Sequence, residues 1–489
     1  MEKMDEKIYK NRMLILLNLV LVTFMATLDG SIVNVALPKM AKELSVSTQS
    51  IAWVVTSYFI VITSTILICG RLGDITGKIK VFKYGLVLFT LGSLLGGLSN
   101  SLWFLIIARI IQAFGAAGTM ATNQGITTQV FPANERGKAL GITGTFVALG
   151  NLLGPPLGGF IVGSMSWKYI FLINIPIGIF AFIMGMKILP RTESGTSEKL
   201  DLKGAFFFII TVLSLFGSVI FGGETGYAHP AVISGFVVAA VSFVVFILVE
   251  TKLAAPLLQL KIFENPLFSL SIFCGFLSFV SIGFSTIIQP FYLQSALKLS
   301  PVVTGMIMMV YPLILAVVAP ISGNLSDKIG SEFLTFVGLL LTSTGLYLTS
   351  TLNERSGIPV LLAFTAVTSV GNGLFQSPNT SLIMSTVPRN KLGIAGSINA
   401  LVRNLGLVSG ISLSTTLLYS RMSAKLGYRT SNYVQGRDDI FIYGMKGVYI
   451  TAVVICATGA VLTAFRLYRK RTDARGTGGN LREESSTIL

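Results

Sequence analysis

The stretch MATLDGSIVNVALP, residues 25–38, sets a single carboxylate, Asp29, inside an apolar run that carries no other charge between Met13 and Lys39. A charge at membrane depth costs at least ~2.5 to 3.5 kcal/mol on insertion scales, so an acid there is a candidate functional residue. Asp29 and Asn34 are five residues apart, which places them on different sides of one helix at about 100° per residue. We therefore expect this helix to lie inside a helical bundle, surrounded by protein or water.

The composition of the whole chain is that of a protein with many membrane spans. Its 489 residues are 52% hydrophobic and 12% charged, with a mean hydropathy of +0.76, whereas soluble proteins are about 25% charged. The net charge of +16 raises the question of a nucleic-acid partner. The basic residues cluster in loops between apolar runs, however, which is the positive-inside pattern of a membrane protein, and no nucleic-acid partner is expected.

Fourteen apolar runs are long enough to cross a membrane. They lie at about 13–37, 50–70, 81–99, 102–124, 138–163, 169–189, 203–222, 231–249, 267–294, 301–323, 332–351, 357–384, 392–420 and 445–467. The sequence therefore predicts an all-α membrane protein whose helices are arranged as six, two and six.

The runs and the composition of their connections divide the chain into seven segments. We predict a cytoplasmic N-terminus at 1–12, a six-helix bundle at 13–189, a cytoplasmic connector at 190–202, two inserted transmembrane helices at 203–250, an interfacial segment at 251–266, a second six-helix bundle at 267–467 and a basic, disordered cytoplasmic tail at 468–489. Lys and Arg are most frequent in the loops that would then be cytoplasmic, so both termini are predicted inside the cell membrane. The basic loop at 420–444 is the exception, since an even number of helices requires it outside.

An internal repeat links the two bundles. Residues 132–139, PANERGKA, and residues 388–395, PRNKLGIA, share the pattern P-x-N-x-x-G-x-A, and the same offset pairs Gly150 with Gly406 and Gly154 with Gly410. The pattern G-x-x-x-D-x-x-G occurs at residues 70–77 and again at 323–330. Two parallel repeated halves with a site between them are typical of secondary transporters.

Six sequence motifs in order resemble those of the major facilitator superfamily, in particular the fourteen-helix drug:proton antiporters of the EmrB/QacA type. The matching segments are LDGSIVNVALP at 28–38, GRLGDITGKIK at 70–80, LIIARIIQAFGAAG at 105–118, GNLLGPPLGG at 150–159, WKYIFLINIPIG at 167–178, and QPFYLQ with SPVVTG at 289–305. The fourth-helix segment departs from the family at Ala113, where glycine is usual. The resemblance implies the major facilitator fold, with two six-helix bundles in parallel pseudo-repeat plus two inserted helices.

Asp29 and Arg109 are the candidate proton-coupling pair. Asp29 lies eight residues before the outer end of helix one and Arg109 seven residues after the outer start of helix four, so their depths are roughly 12 and 10 Å at 1.5 Å per residue. Burial favours the neutral acid, whereas a nearby guanidinium or cationic substrate favours the carboxylate. We therefore predict that Asp29 takes up a proton in one state and releases it in another; a fixed structural ion pair is the alternative.

Two glycine-containing motifs are candidates for conformational control. The loop motif, formed by Gly70, Asp74, Gly77, Lys78 and Arg136, is predicted to act as a latch in which Asp74 pairs with a helix start or with Arg136. A charged turn that only sets topology is the alternative. The antiporter motif, formed by Gly150, Gly154, Pro155, Gly158 and Gly159, is predicted to give helix five a tight seam that blocks a leak, with ordinary small-residue packing as the alternative.

Polar residues inside apolar runs are the candidate lining of a substrate cavity, although interhelical hydrogen bonding would place the same residue types there. The candidates are Asn34, Trp53, Tyr58, Gln112, Asn123, Asn151, Gln289, Tyr292, Gln376, Asn379, Asn399 and Arg403. Arg403 has no acid near it in sequence and is expected to bind either an anionic group or backbone carbonyls. Because Asp29 is the only central acid, neutral, zwitterionic or monocationic amphiphiles are the expected substrates, with aromatic residues supplying stacking surface.

These observations together favour a proton-coupled multidrug efflux antiporter of the cell membrane that works by alternating access. An exporter of one endogenous metabolite or lipid-like molecule, and a membrane subunit of a larger export assembly, are the alternatives. No Walker loop or metal-ligand cluster is present in the sequence, the three cysteines lack CxxC spacing and the single histidine lies in a loop, so no enzyme, metal or cofactor is expected. The proton gradient would supply the energy, and the expected partners are protons, substrate and membrane lipid around a monomer.

Overall fold

The computed structural model describes residues 2–132, 135–190, 200–253, 256–388 and 392–486. Within these ranges the chain is helical between its turns and loops, and fourteen helices are long and apolar enough to cross a membrane. The predicted all-α membrane fold with fourteen spans is confirmed.

The first bundle contains six spans. Their bounds are α1 Tyr9–Glu43, α2 Thr48–Thr76, α3 Lys78–Gly97, α4 Leu102–Val130, α5 Lys138–Ser164 and α6 Tyr169–Ile188. The helix containing α1 begins at Glu2 and continues through Pro38, where the apolar run was predicted to end. Breaks in the helical path at Ala52 and Ile173 divide α2 and α6 into a short first turn and a longer remainder.

Two inserted spans and a second set of six follow. Their bounds are α7 Leu202–Gly223, α8 Pro230–Glu250, α9 Pro266–Ala296, α10 Pro301–Ser326, α11 Ser331–Ser350, α12 Ile358–Ser385, α13 Ile394–Leu426 and α14 Asp438–Tyr468. A 3₁₀ turn at Leu260–Glu264 precedes α9, and a π-helical turn at Tyr292–Ala296 ends it. Helix α8 packs on α7, which contacts α2 of one bundle and α13 of the other, so the inserted pair lies along the seam between the halves.

The connector and the C-terminal tail differ in how much of each the structure describes. Most of the connector predicted at 190–202 lies outside the described residues. The segment predicted as a disordered tail at 468–489 is described as a continuation of the last helix as far as Ser486.

Side-chain caps fix several helix starts. Ser101 accepts a hydrogen bond from the Phe104 amide at the start of α4, and Asp201 accepts one from the Gly204 amide at the start of α7. Asn265 caps α9 directly before Pro266, whose missing N–H costs nothing at a first helical position. Side chains just before these three spans therefore fix where α4, α7 and α9 begin.

The internal repeat of the sequence is visible as repeated packing. Gly77 between α2 and α3 has φ of 99°, and Gly330 between α10 and α11 has φ of 92°, a backbone conformation that favours glycine. A Cβ on Gly154 would lie 3.1 Å from the Ile32 amide nitrogen of α1, and one on Gly410 would lie 2.2 Å from the Val280 carbonyl of α9. Helices α5 and α13 thus occupy equivalent places against the first helix of their bundles.

Candidate functional site

The Asp29 carboxylate is fully buried at the centre of the first bundle. Arg109 Nη1 of α4 donates to Asp29 Oδ2 at 2.6 Å, and the Arg109 side chain is also buried. Gln112 Nε2, one turn further along α4, donates to Asp29 Oδ1 at 2.8 Å. The two side chains, placed at similar depth by the sequence, therefore form a direct, buried ion pair with a shared amide neighbour.

Two further helices complete this network. Asn174 Nδ2 of α6 donates to Asp29 Oδ1 at 2.9 Å, and Gln112 Nε2 also donates to Ser93 Oγ of α3 at 2.8 Å. Neither Asn174 nor Ser93 was predicted as a site residue. Asn174 lies inside the quoted motif WKYIFLINIPIG, and a buried amide in that apolar run was the available signal.

Helix α2 holds the Arg109 guanidinium from its other side. Arg109 Nε donates to the Val54 carbonyl at 3.1 Å, and the Tyr58 ring centroid lies 4.0 Å from Arg109 Cζ. An arginine over an aromatic face gains a cation–π attraction that is strongest where water is excluded. Tyr58 also lines the central cavity, whereas Asp29 and Arg109 are not among its lining residues, so Tyr58 contacts both the ion pair and the cavity.

The antiporter motif packs α5 tightly against α1 on both sides of Asp29. A Cβ on Gly150 would lie 2.1 Å from Thr27 Oγ1, and one on Gly154 would lie 1.8 Å from Ser31 Oγ. Ser31 Oγ in turn donates to the Gly150 carbonyl at 3.1 Å. Any side chain at these glycines would displace the helix that carries Asp29.

The far end of the same motif joins the two bundles. A Cβ on Gly159 would lie 2.3 Å from the Pro301 carbonyl of α10, and one on Gly305 of α10 would lie 2.2 Å from the Pro155 carbonyl. Gly158 instead faces α1, and a Cβ built on it would lie 2.8 Å from the Ile32 carbonyl. One motif therefore forms the α1–α5 seam and the contact between the halves.

The loop motif forms a local ion pair. Lys78 Nζ donates to Asp74 Oδ1 at 2.6 Å within the α2–α3 turn, and the Lys78 stem covers Gly125 of α4. Arg136, offered as a partner for Asp74, instead donates through Nε to the Phe131 carbonyl at 3.0 Å. The Asp74–Arg136 pairing is therefore corrected to Asp74–Lys78, because the i,i+4 spacing brings the lysine closest.

The remaining glycines of that loop have separate packing roles. Gly77 supplies the positive φ of the turn, whereas a Cβ on Gly70 would make only an ordinary contact with Ala121 at 3.9 Å. Gly73 of the same segment is the tighter position, since a Cβ there would lie 2.9 Å from Thr122 of α4. Close packing of α2 on α4 thus depends on Gly73 more than on Gly70.

A cavity of about 810 Å³ lies between the two bundles. This volume is in the range of pockets that bury a drug-sized ligand. Eight of the residues predicted for the cavity line it, namely Asn34, Tyr58, Asn151, Gln289, Tyr292, Gln376, Asn399 and Arg403. The lining also includes Phe59, Phe279, Tyr311 and Tyr449, which give it an aromatic surface.

Four residues that were predicted to line the cavity do not line it. Gln112 is held in the Asp29 network, and Asn123 Nδ2 donates to the Leu19 carbonyl at 3.1 Å and to Thr23 Oγ1 at 2.6 Å of α1. Asn379 Nδ2 donates to the Ser271 carbonyl of α9 at 3.0 Å. Trp53 lies in a small crevice beside Ile220 of α7 and Thr416 of α13. The three amides face hydrogen-bonding partners on neighbouring helices instead of the cavity.

The two ends of the cavity differ. Towards the end of the bundle that carries the N-terminus, Gly141 and Thr380 line it close to the ends of α5 and α12. At the opposite end two hydrogen bonds join the halves. The backbone N–H of Gln49 donates to the Ser431 carbonyl at 3.2 Å, and the side-chain Nε2 of Gln294 donates to the Val35 carbonyl at 2.8 Å. The lining also includes Leu352 and Leu361 near the joined end, so the cavity runs through most of the depth of the bundles and is bridged at the end opposite the chain termini.

Among the described residues, no three His, Cys, Asp or Glu side chains lie close enough together to hold a metal ion. The three cysteines are free, and Cys274 and Cys456 are buried in helices of the second bundle.

Comparison with known proteins adds to this geometry. A sequence model of the Major Facilitator Superfamily matches residues 19–284 and 268–488. The chain is 35% identical over 466 residues to "Riboflavin transporter RibZ" of Clostridioides difficile (strain 630), covering 95% of this chain and 99% of that protein. It is 31% identical over 420 residues to "Multidrug transporter protein MdtP" of Bacillus subtilis (strain 168), covering 85% of this chain and 76% of that protein.

A solved structure shares the fold. It is titled as a bacterial homologue of the human lysosomal transporter Spinster in an inward-facing and unoccupied conformation, and it matches with a TM-score of 0.63 and 15% identity, covering 92% of this chain and 95% of that one. At this identity the likeness concerns the fold alone.

Proposed function

Because this chain belongs to the Major Facilitator Superfamily and is a multi-pass membrane transporter, we propose that it exports small amphipathic compounds from the cell in exchange for protons. The proposal places both termini in the cytoplasm, in accord with the Lys and Arg bias of the loops. The cavity would then load substrate from the cytoplasmic side and open outwards by rearrangement of the two bundles.

The observation that carries the proposal is the buried Asp29–Arg109 pair beside, but outside, the cavity. Protonation of Asp29 would weaken the hydrogen bonds from Arg109, Gln112 and Asn174 and would leave the guanidinium without its counter-charge. A buried charge that loses its partner is costly, so Arg109 would have to seek new acceptors. Protonation of Asp29 alone would therefore change side-chain contacts on α2, α3, α4 and α6.

The α5 glycines supply the mechanical link. Since Gly150 and Gly154 hold the α1 segments on either side of Asp29 without intervening side chains, a shift of α1 moves α5 with it. Gly159 on α5 meets Gly305 on α10, so the shift reaches the contact between the bundles. Rigid elements with bistable contacts are how a local change becomes a change of accessibility.

The relatives support an efflux role and also favour a second candidate. A protein named as a multidrug transporter is 31% identical to this chain, which accords with export of several compounds. The protein named as a riboflavin transporter is 35% identical over nearly its full length, which favours transport of one flat, polar metabolite such as a flavin. Competition between riboflavin and fluorescent dyes for transport by one preparation would separate the two.

Transport into or out of proteoliposomes driven by an imposed pH gradient tests the proposal. Wild-type protein should move at least one compound of a neutral, anionic and cationic panel, and a protonophore should abolish uphill transport. Asp29→Asn is nearly isosteric and should reduce gradient-driven transport to the level of empty vesicles. Asp439→Asn changes an exposed acid of the last outer loop region and is the matched control. Gradient-driven transport that survives Asp29→Asn would contradict proton coupling through this residue.

A further inference from the structure

Arg403 brings a positive charge to the wall of the central cavity. It lies on α13, nine residues after Ile394, which is ~14 Å along the helix axis and close to the middle of a hydrocarbon core ~30 Å thick. Among the described residues that line the cavity, Arg403 is the only Asp, Glu, Lys or Arg.

Two other arginines within the spans, Arg109 and Arg466, are held by protein groups, whereas Arg403 faces the cavity. Arg109 is held by Asp29, Gln112 and the Val54 carbonyl. Arg466 of α14 donates to Ser271 Oγ at 3.3 Å and to Thr335 Oγ1 at 2.7 Å. Within the described part of the chain, the structure gives the Arg403 guanidinium no hydrogen bond and no ion pair. A membrane-embedded charge is rarely left without a partner, which indicates that the partner is a ligand.

The surroundings of Arg403 suit an amphipathic molecule with one charged end. Asn399 lies one helical turn before Arg403 and also lines the cavity, so a guanidinium and an amide face the same space. Gln376 of α12 adds a second amide, while Phe279 and Tyr311 provide aromatic faces. Asp29, which would attract a cation, is not among the residues that line this space.

We propose that Arg403 binds an anionic group, a carboxylate or phosphate, of an amphipathic substrate whose flat body lies against the aromatic wall. This inference rests on the proposed transport function and specifies its substrate class as organic anions and zwitterions. Monocations, which the sequence had included among the expected substrates, are disfavoured because they meet a like charge with no acid in reach.

Equilibrium binding to purified protein in nanodiscs, without any gradient, is the direct test. Fluorescein and rhodamine 123 share a xanthene ring but carry opposite charge, so their comparison isolates the charge preference. The wild type should bind fluorescein more tightly than rhodamine 123. Arg403→Gln should weaken fluorescein binding by about tenfold or more, since a charge-assisted hydrogen bond is lost, while rhodamine 123 binding stays equal or improves.

Two matched variants keep this result specific. Arg403→Lys retains the charge and should keep most of the fluorescein affinity, which separates ligand binding from a structural role. Arg437→Gln removes the same charge from the exposed outer loop and should leave both affinities unchanged. Tighter binding of rhodamine 123 by the wild type, or equal loss of both dyes in Arg403→Gln, would overturn the inference.

The same dyes in pH-gradient-driven transport separate this inference from the proposed function. If fluorescein binds through Arg403 but is not moved by the gradient, the proton-driven export proposal fails and the anion site stands. If rhodamine 123 is driven by the gradient and fluorescein neither binds nor moves, the transport proposal stands and the anion site fails.

Discussion

The Tyr58 ring lies over the Arg109 guanidinium, with 4.0 Å between the ring centroid and Arg109 Cζ, and the same residue lines the central cavity. One aromatic side chain is thus shared by the buried ion pair and by the space offered to substrate. A ligand that displaces this ring would alter the environment of Arg109 without touching Asp29. In the proposed exchange of substrate for protons, this arrangement would give the two a common element through which each could affect the other.

Tyr58→Ala should uncouple transport from the gradient. The change removes a buried ring and its cation–π contact, at a cost of about 3 to 5 kcal/mol by analogy with other buried aromatic truncations, and opens the ion pair to the cavity. A pH-sensitive dye inside proteoliposomes should report a faster proton leak without substrate. Tyr58→Phe keeps the ring and should leak no more than wild type; equal leak rates in Tyr58→Ala and wild type would show that the ring is no barrier.

Asn174→Ala should weaken the network without removing either charge. The substitution deletes a donor at 2.9 Å from Asp29 Oδ1 in a fully buried position, and the loss of such a bond costs about 1 to 3 kcal/mol. We expect a lower thermal unfolding midpoint and slower gradient-driven transport. Asn324→Ala, at an exposed position on α10, is the control for loss of an asparagine. Unchanged stability and transport in Asn174→Ala would make its contact with Asp29 incidental.

Gly154→Ala should separate α5 from α1. A Cβ at this position would lie 1.8 Å from Ser31 Oγ, so the helices must move apart, at an expected cost of about 1 to 3 kcal/mol, and transport should fall. Ser31→Gly removes the obstructing side chain, so the double variant that combines Gly154→Ala and Ser31→Gly should recover part of the lost stability and transport. A double-mutant cycle measures this recovery. Gly217→Ala on α7, where a Cβ meets nothing within 4 Å, should be neutral. Without any recovery in the double variant, close helix contact is not the reason for the glycine.

Much of the fold could be predicted because a bilayer restricts the choices. Apolar runs of fixed minimum length must be helices, and the repeated patterns at residues 70–77 and 323–330 predict equivalent turns, which the structure has at Gly77 and Gly330. Helix ends were less predictable. Pro38 was expected to end the first helix, but the helix continues to Glu43, because one missing backbone hydrogen bond near a helix end is tolerated.

The site was predictable only where depth alone decides contact. Asp29 and Arg109 lie at similar depth on helices one and four, and this arithmetic placed them within reach of each other. It could not distinguish Asn174, which binds Asp29, from Asn123, which binds the Leu19 carbonyl, since both are amides in apolar runs. Which face of a helix meets which neighbour depends on the packing of the bundle, and one sequence does not contain that information.

A disulfide across the closed end of the cavity should stop transport without preventing substrate from binding. The backbone N–H of Gln49 donates to the Ser431 carbonyl at 3.2 Å, so the two backbones are in direct contact, and a disulfide needs Cα atoms roughly 4.4 to 6.8 Å apart. In a background without the native cysteines, oxidation of Gln49→Cys with Ser431→Cys should abolish transport, and reduction should restore it. Each single-cysteine variant should transport under both conditions. Fluorescein binding should persist after oxidation, because the cavity extends towards the opposite end. Since alternating access requires the two bundles to part here, a cross-linked protein that still transports at the wild-type rate would show that substrate leaves by another route.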